Sequence, residues 1–108
     1  MLKFEEPFFF HAQNGPDILF GLARFSDGYR IYHVSAINYW GRSDSLQDTC
    51  RSWDPVNCLY FINWYPAPLT LESAEAVAAA WACLTVTYIL TGEPLEAQYR
   101  RLHGGNQG

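Results

Sequence analysis

A chain of 108 residues, 49% hydrophobic and only 17% charged, can bury about two-thirds of its unfolded surface in one core, which excludes disorder and removes any need for disulfide or metal support. A net charge of -4, with six arginines, one lysine (Lys3) and only Arg100-Arg101 adjacent, excludes a direct grip on nucleic-acid phosphates, which requires clustered cations. Aromatic residues at 17% combine with the low charge to imply more ring-bearing surface than a small monomer hides, and hence a contact surface.

In chain order, the opening Met1-Leu2-Lys3-Phe4-Glu5-Glu6-Pro7 turns acidic and meets proline where an export signal needs an apolar run. Cys50, Cys58 and Cys83 are odd in number and lack metal-type spacing, so reduced thiols in a cytoplasmic protein are expected, with a Cys50–Cys58 bridge as the lesser alternative. The aromatic run Phe8 to Ala12 reads as a strand ended by a turn at Asn14-Gly15-Pro16. Asp17 to Phe25 is a second strand, and Ser26-Asp27-Gly28 turns it into a third, Tyr29 to Ile37. On that third strand Ile31, His33, Ser35 and Ile37 share one face, and Arg30, Tyr32, Val34 and Ala36 the other, so neither face is cleanly polar.

Residues 38–57 exceed an ordinary connection, which makes them functional, locally helical over Ser43 to Ser52, or both, and the main candidate contact loop. Cys58 to Trp64 is a near-continuous apolar run, expected as a central strand buried on both faces. After the Tyr65-Pro66-Ala67-Pro68 elbow, a helix is predicted from Leu71 to Thr91, capped by Thr70 or Ser73 and stopped by Gly92 and Pro94.

Along it Ala74, Val77, Trp81, Leu84 and Tyr88 form a stripe suited to a sheet, while Ala76, Ala79, Ala80, Cys83, Val86 and Leu90 make the opposite side apolar too. A membrane span needs about 20 apolar residues, usually with basic flanks. This uncharged segment is shorter and flanked by Glu72, Glu75 and Glu93, so no membrane is expected. Burial in a homodimer through Ala76, Ala79, Ala80, Cys83 and Val86, or under a short last helix carrying Leu95, Tyr99 and Leu102, accounts for it better. The expected fold class is therefore α+β: three to four antiparallel strands against one long apolar helix, with a short C-terminal helix. One domain spans residues 1–103, and 104–108 form a flexible tail.

Chemistry-bearing motifs are sparse. His33 lies two residues from Ser35 but without a visible orienting acid or oxyanion loop, so a half-buried strand histidine explains it better than a catalytic one. The cysteines with His11, His33 or His103 lack the close pairs that fix zinc, and Asp44, Asp48 and Asp54 lack the alternation of a calcium loop. Single glycines build no phosphate cradle. No cofactor is expected.

The informative constellation is Tyr39-Trp40-Gly41-Arg42 with Arg51-Ser52-Trp53-Asp54, because Trp, Tyr and Arg supply large contact area and directed hydrogen bonds at low entropic cost. Tyr39, Trp40, Arg42, Arg51, Trp53 and Asp54 are the candidate partner-binding residues; the competing reading folds both tryptophans back as a roof on the sheet. The functional expectation is a non-catalytic binding module that blocks a surface of a larger cytosolic protein. In size and composition such a chain is similar to toxin-immunity proteins and to phage inhibitors of the anti-CRISPR kind, a likeness of type alone. The alternatives are a small enzyme or ligand-binding domain with a pocket between sheet and helix near His33, and a structural homo-oligomer.

Overall fold

The computed structural model describes residues 2–13 and 15–103, so Asn14 and the expected 104–108 tail lie outside the described residues. Along the chain run strands β1 (Glu6–Phe10), β2 (Ile18–Phe25) and β3 (Gly28–His33), helix α1 (Leu46–Thr49), strands β4 (Arg51–Asp54) and β5 (Leu59–Ile62), and helices α2 (Leu71–Thr91) and α3 (Leu95–His103). The strands form one antiparallel sheet in the order β1-β2-β3-β5-β4.

The β2–β3 hairpin closes through Ser26-Asp27, with Phe25 opposite Gly28 and Phe20 opposite His33. Regular pairing ends at His33 because the chain turns away, tied to β2 by the Val34 N–H to Leu19 carbonyl bond and by the Ser35 hydroxyl, which accepts from the Leu19 N–H. The third strand is thus shorter than its composition predicts. A fifth strand, β4, emerges from residues expected as loop or helix. The Asp54 carboxylate accepts from the Val56 and Asn57 amides, a side-chain-stabilised turn that folds β4 back on β5. Consequently β5 lies between β3 and β4, next to the sheet edge, and is half-buried where a fully covered central strand was expected.

Helix α2 begins with a capping box in which the Thr70 hydroxyl accepts from the Ser73 amide and Ser73 reciprocates to the Thr70 amide, satisfying two otherwise orphaned donors. It ends at Gly92, whose φ of 85° lies in the left-handed region that glycine enters without a Cβ penalty. Its buried side chains, Ala74, Ala78, Trp81, Ala82, Thr85, Tyr88 and Ile89, recur at three- and four-residue spacing and pack on Ile18, Phe20, Leu22, Ile31 and Ile62 of the sheet. Ala78 and Ala82 allow close approach, and Trp81 fills the centre edge-on to Phe20. Helix α3 docks on α2 through buried Leu95 and through Gln98, whose amide donates to the Leu84 and Glu93 carbonyls.

The opposite face of the sheet is covered in part by the N-terminal segment. The Phe4 ring rests on Gly21, where a Cβ would stand 2.7 Å from it, and meets Tyr32 at 5.8 Å between centroids. Arg30 lies over Phe25 and Phe61 at 4.3 and 4.6 Å.

Far from the sheet, Ala76, Ala80, Cys83 and Leu90 are exposed, while Ala79 and Val86 are partly buried, Val86 against Gly15. By length and composition alone α2 could span a bilayer, with a mean hydropathy of 1.4 in its most apolar stretch, of which 39% is buried. The buried part is the side turned to the sheet. Cys50, Cys58 and Cys83 are free thiols.

Candidate binding site

The centre of the site is Arg51, the first residue of β4, which is 7% exposed. Its Nε donates to the Thr49 hydroxyl (2.8 Å), one terminal nitrogen to His33 Nε2 (3.1 Å) and the other to the Asp44 carbonyl (2.7 Å). Its plane lies 4.2 Å from the Tyr60 ring centroid and 5.5 Å from that of Tyr39. No carboxylate among the described residues lies within 4.0 Å of it. A buried cation is therefore held by neutral acceptors and two aromatic faces, an arrangement that favours the weakly hydrated guanidinium over an ammonium.

These contacts decide the state of His33. Its Nδ1 meets the Ser35 carbonyl at 3.1 Å, an atom that only accepts, and its Nε2 meets Arg51, which only donates. The ring is consequently neutral with its proton on Nδ1. Burial, with the Arg51 charge adding to it, pulls its pKa down to about 4, against the bond to Ser35. Stacked rings close it on both sides, Tyr60 and Trp81 each at 5.7 Å. With both nitrogens engaged, His33 is a poor general base.

Tyr39 forms another wall. It is 7% exposed, packs edge-on to Tyr88 at 6.1 Å and ends in a buried hydroxyl without a hydrogen-bond partner among the described residues. The neighbouring Thr49 hydroxyl gives its proton to the Ser45 carbonyl and accepts from Arg51. Burial pushes Tyr39 up to about 12. Between these groups and Trp53 opens a recess of about 330 Å³, lined by His33, Tyr39, Asp44, Arg51, Trp53 and Tyr60 among others.

Of the six candidate contact residues, Tyr39, Arg51 and Trp53 thus converge on one recess. Trp53 is half-exposed, leaning on Tyr60 at 4.7 Å. Arg42 points elsewhere, its guanidinium donating to the Ile89 and Leu90 carbonyls at the end of α2, where a cation complements the helix dipole. Asp54 is buried at the far end of β4, accepting from the Tyr32 hydroxyl at 2.7 Å and from the Asn57 side chain at 2.8 Å. Those bonds, with Asn57 the larger influence, pull its pKa down to about 2.

Trp40 is the one left in solvent. It is 63% exposed and has a φ of 54°, a conformation uncommon and costly for a bulky residue. The turn is held by the Asn38 side chain, which accepts from the Trp40 amide, and by the Arg42 amide donating to the Tyr39 carbonyl. Its flanks are anchored, Tyr39 in the core and Arg42 on α2, so the indole stands on a fixed support.

Residues that sequence reasoning did not single out complete the arrangement. Thr49 is fully buried and ties three elements: its hydroxyl serves Arg51, and its carbonyl accepts from the Trp81 indole at 3.0 Å. A lone threonine gives no periodic signal of such a role. A second recess of about 320 Å³ lies between the segment after β5 and helices α1 and α3, walled by Trp64, Tyr65, Tyr99 and Cys50 among others; Tyr65 is 94% exposed. Among the described residues no three His, Cys, Asp or Glu side chains converge to hold a metal. Comparison with protein-family models, with curated proteins and with solved structures yields no match to this chain.

Proposed function

We propose that this protein is a non-catalytic binding module that docks on a larger cytosolic protein and blocks the surface it covers, in the manner of an immunity protein or a phage-encoded inhibitor. The observation that carries the reading is Trp40: a large, exposed indole on a left-handed backbone, on a turn whose two flanks are anchored in the core and on α2. Strained backbone around an exposed aromatic has no benefit for the isolated fold, whereas a rigid indole enters a partner's pocket with little further loss of conformational freedom. Trp53, half-exposed on the edge strand β4, adds aromatic contact area of the same kind.

The test is co-purification from the native host with tagged wild-type protein, Trp40→Ala and His33→Ala. A stoichiometric partner that is kept by His33→Ala, lost with Trp40→Ala, and inhibited in its own assay by added wild-type protein supports the reading. A partner kept by Trp40→Ala and lost with His33→Ala would move function to the recess.

A further inference from the structure

We propose that the recess beside β4 is a binding site for a carboxylate group carried on an apolar body, with Arg51 as the recognising cation and Tyr39 as a second donor. The site goes beyond the docking role of Trp40 and does not depend on it.

Three observations converge. Arg51 is buried, uses three of its five N–H donors on neutral acceptors, and has no carboxylate within 4.0 Å among the described residues. A buried charge without a counter-ion is costly, and an incoming anion that takes the remaining donors relieves that cost. Tyr39, under the same guanidinium, ends in a buried hydroxyl that beside Thr49 finds no well-formed hydrogen bond among the described residues, and such groups are rare because the desolvation is uncompensated. The two share the walls of a recess of about 330 Å³, room enough for a small organic acid or one acidic side chain.

The lining also limits the ligand. His33 is neutral and already accepts from Arg51, so it neither repels nor competes for an anion. Asp44, the one carboxylate in the lining, is exposed and joins Arg51 through its backbone carbonyl alone. One cation beside one carboxylate suits a singly charged acid and disfavours a doubly charged phosphate. Trp53 and Tyr60, edge to face at 4.7 Å, offer an aromatic wall for the ligand's body. The carboxylate can arrive as a free organic acid or as an Asp or Glu side chain of a protein.

Calorimetric titration with benzoate, with N-acetyl-glutamate N-methylamide, and with benzamide as the neutral control tests this. The expected result is saturable millimolar binding of at least one acid and none of benzamide. Benzoate alone binding identifies a small-molecule site, and the glutamate mimic alone a side-chain site. Arg51→Lys should weaken binding by about 10-fold or more. Tyr39→Phe should weaken it several-fold without lowering the thermal midpoint, since that hydroxyl makes no well-formed hydrogen bond among the described residues. Asp44→Asn, which keeps the backbone carbonyl on Arg51, should tighten binding about threefold, and this variant keeps the test alive if Arg51→Lys does not fold. No saturation by either acid up to roughly 50 mM, equal binding of benzamide, or affinity indifferent to Tyr39→Phe and Asp44→Asn would each overturn the proposal.

Discussion

His33 and Asp54 lie on strands separated by β5 and respond to acid in separate ranges. His33 is neutral in the fold, with a pKa of about 4, against about 6.5 for a histidine in the unfolded chain. Between those values the unfolded chain binds more protons, so stability falls as pH drops from 6.5 to 4, by about 3 kcal/mol in all. Below pH 4 that loss is complete. Asp54, held down to about 2 by Asn57 and Tyr32, has the opposite charge type: its contribution is fully present above the ordinary carboxylate range and disappears as pH falls through about 2. Denaturant titrations from pH 7 to pH 4 should show the His33 slope, and His33→Gln should flatten it; an unchanged slope would mean that His33 is charged or exposed in the fold.

Elsewhere at this scale, Trp81 is fully buried and donates to the Thr49 carbonyl. Trp81→Ala should cost about 3–5 kcal/mol in chemical denaturation, loosening His33 and Phe20 together because both pack on it.

Helix α2 was legible to the residue because its signals agree. Thr70 and Ser73 cap it, Gly92 ends it, and Trp81 and Tyr88 fall on the face that meets the sheet. The stripe read from spacing omitted the buried Ala78, Ala82, Thr85 and Ile89 and included Val77 and Leu84, which are only partly buried, because on a helix apolar all round the sequence does not say which side meets the sheet. The β2–β3 hairpin was equally plain, its two-residue loop Ser26-Asp27 followed by Gly28 at a positive φ. By contrast β4 was hidden. Its four residues, Arg51 to Asp54, include two charged side chains, and both are buried for tertiary reasons: Arg51 by Tyr60 and His33, Asp54 by Tyr32. No local pattern announces a charge that is buried by partners distant in sequence.

The candidate contact residues divide on the same ground. Their types were readable, but whether each faces inward or outward depends on where the chain turns after His33 and at Asn57. At the ends of α2, Thr70→Ala should cost about 1 kcal/mol through loss of the capping box. Gly92→Ala should cost about 1 kcal/mol, with added crowding, because the new Cβ stands 3.0 Å from the Arg42 guanidinium. Thermal melts of both variants check this; no change in either would mean that the helix ends contribute nothing to stability.

At the scale of the whole molecule, apolar surface remains outside after the core is filled. Trp40, Val56, Tyr65, Leu69 and Leu102 are each more than half exposed, and the far face of α2 shows Ala76, Ala80, Cys83 and Leu90. Scattered apolar side chains are ordinary on a monomer, whereas a contiguous set marks a contact. If the face of α2 meets a second copy of the chain, Ala80→Glu and Cys83→Arg should each halve the mass measured by light scattering, because a charge placed there is left unpaired in a closed interface. A mass equal to one chain in the wild type would leave that face to a different partner or to solvent.

Trp40, as the proposed anchor of a protein contact, is the residue whose loss matters most to function. The direct measurement is the dissociation constant of the co-purified partner for wild-type protein and for Trp40→Ala, read by calorimetry alongside each thermal midpoint. Loss of a central tryptophan anchor should weaken binding by about 30-fold or more, equivalent to about 2 kcal/mol, while the midpoint stays the same or rises as alanine relieves crowding on the left-handed turn. An affinity unchanged by the substitution, or a midpoint that collapses with it, would contradict the claim.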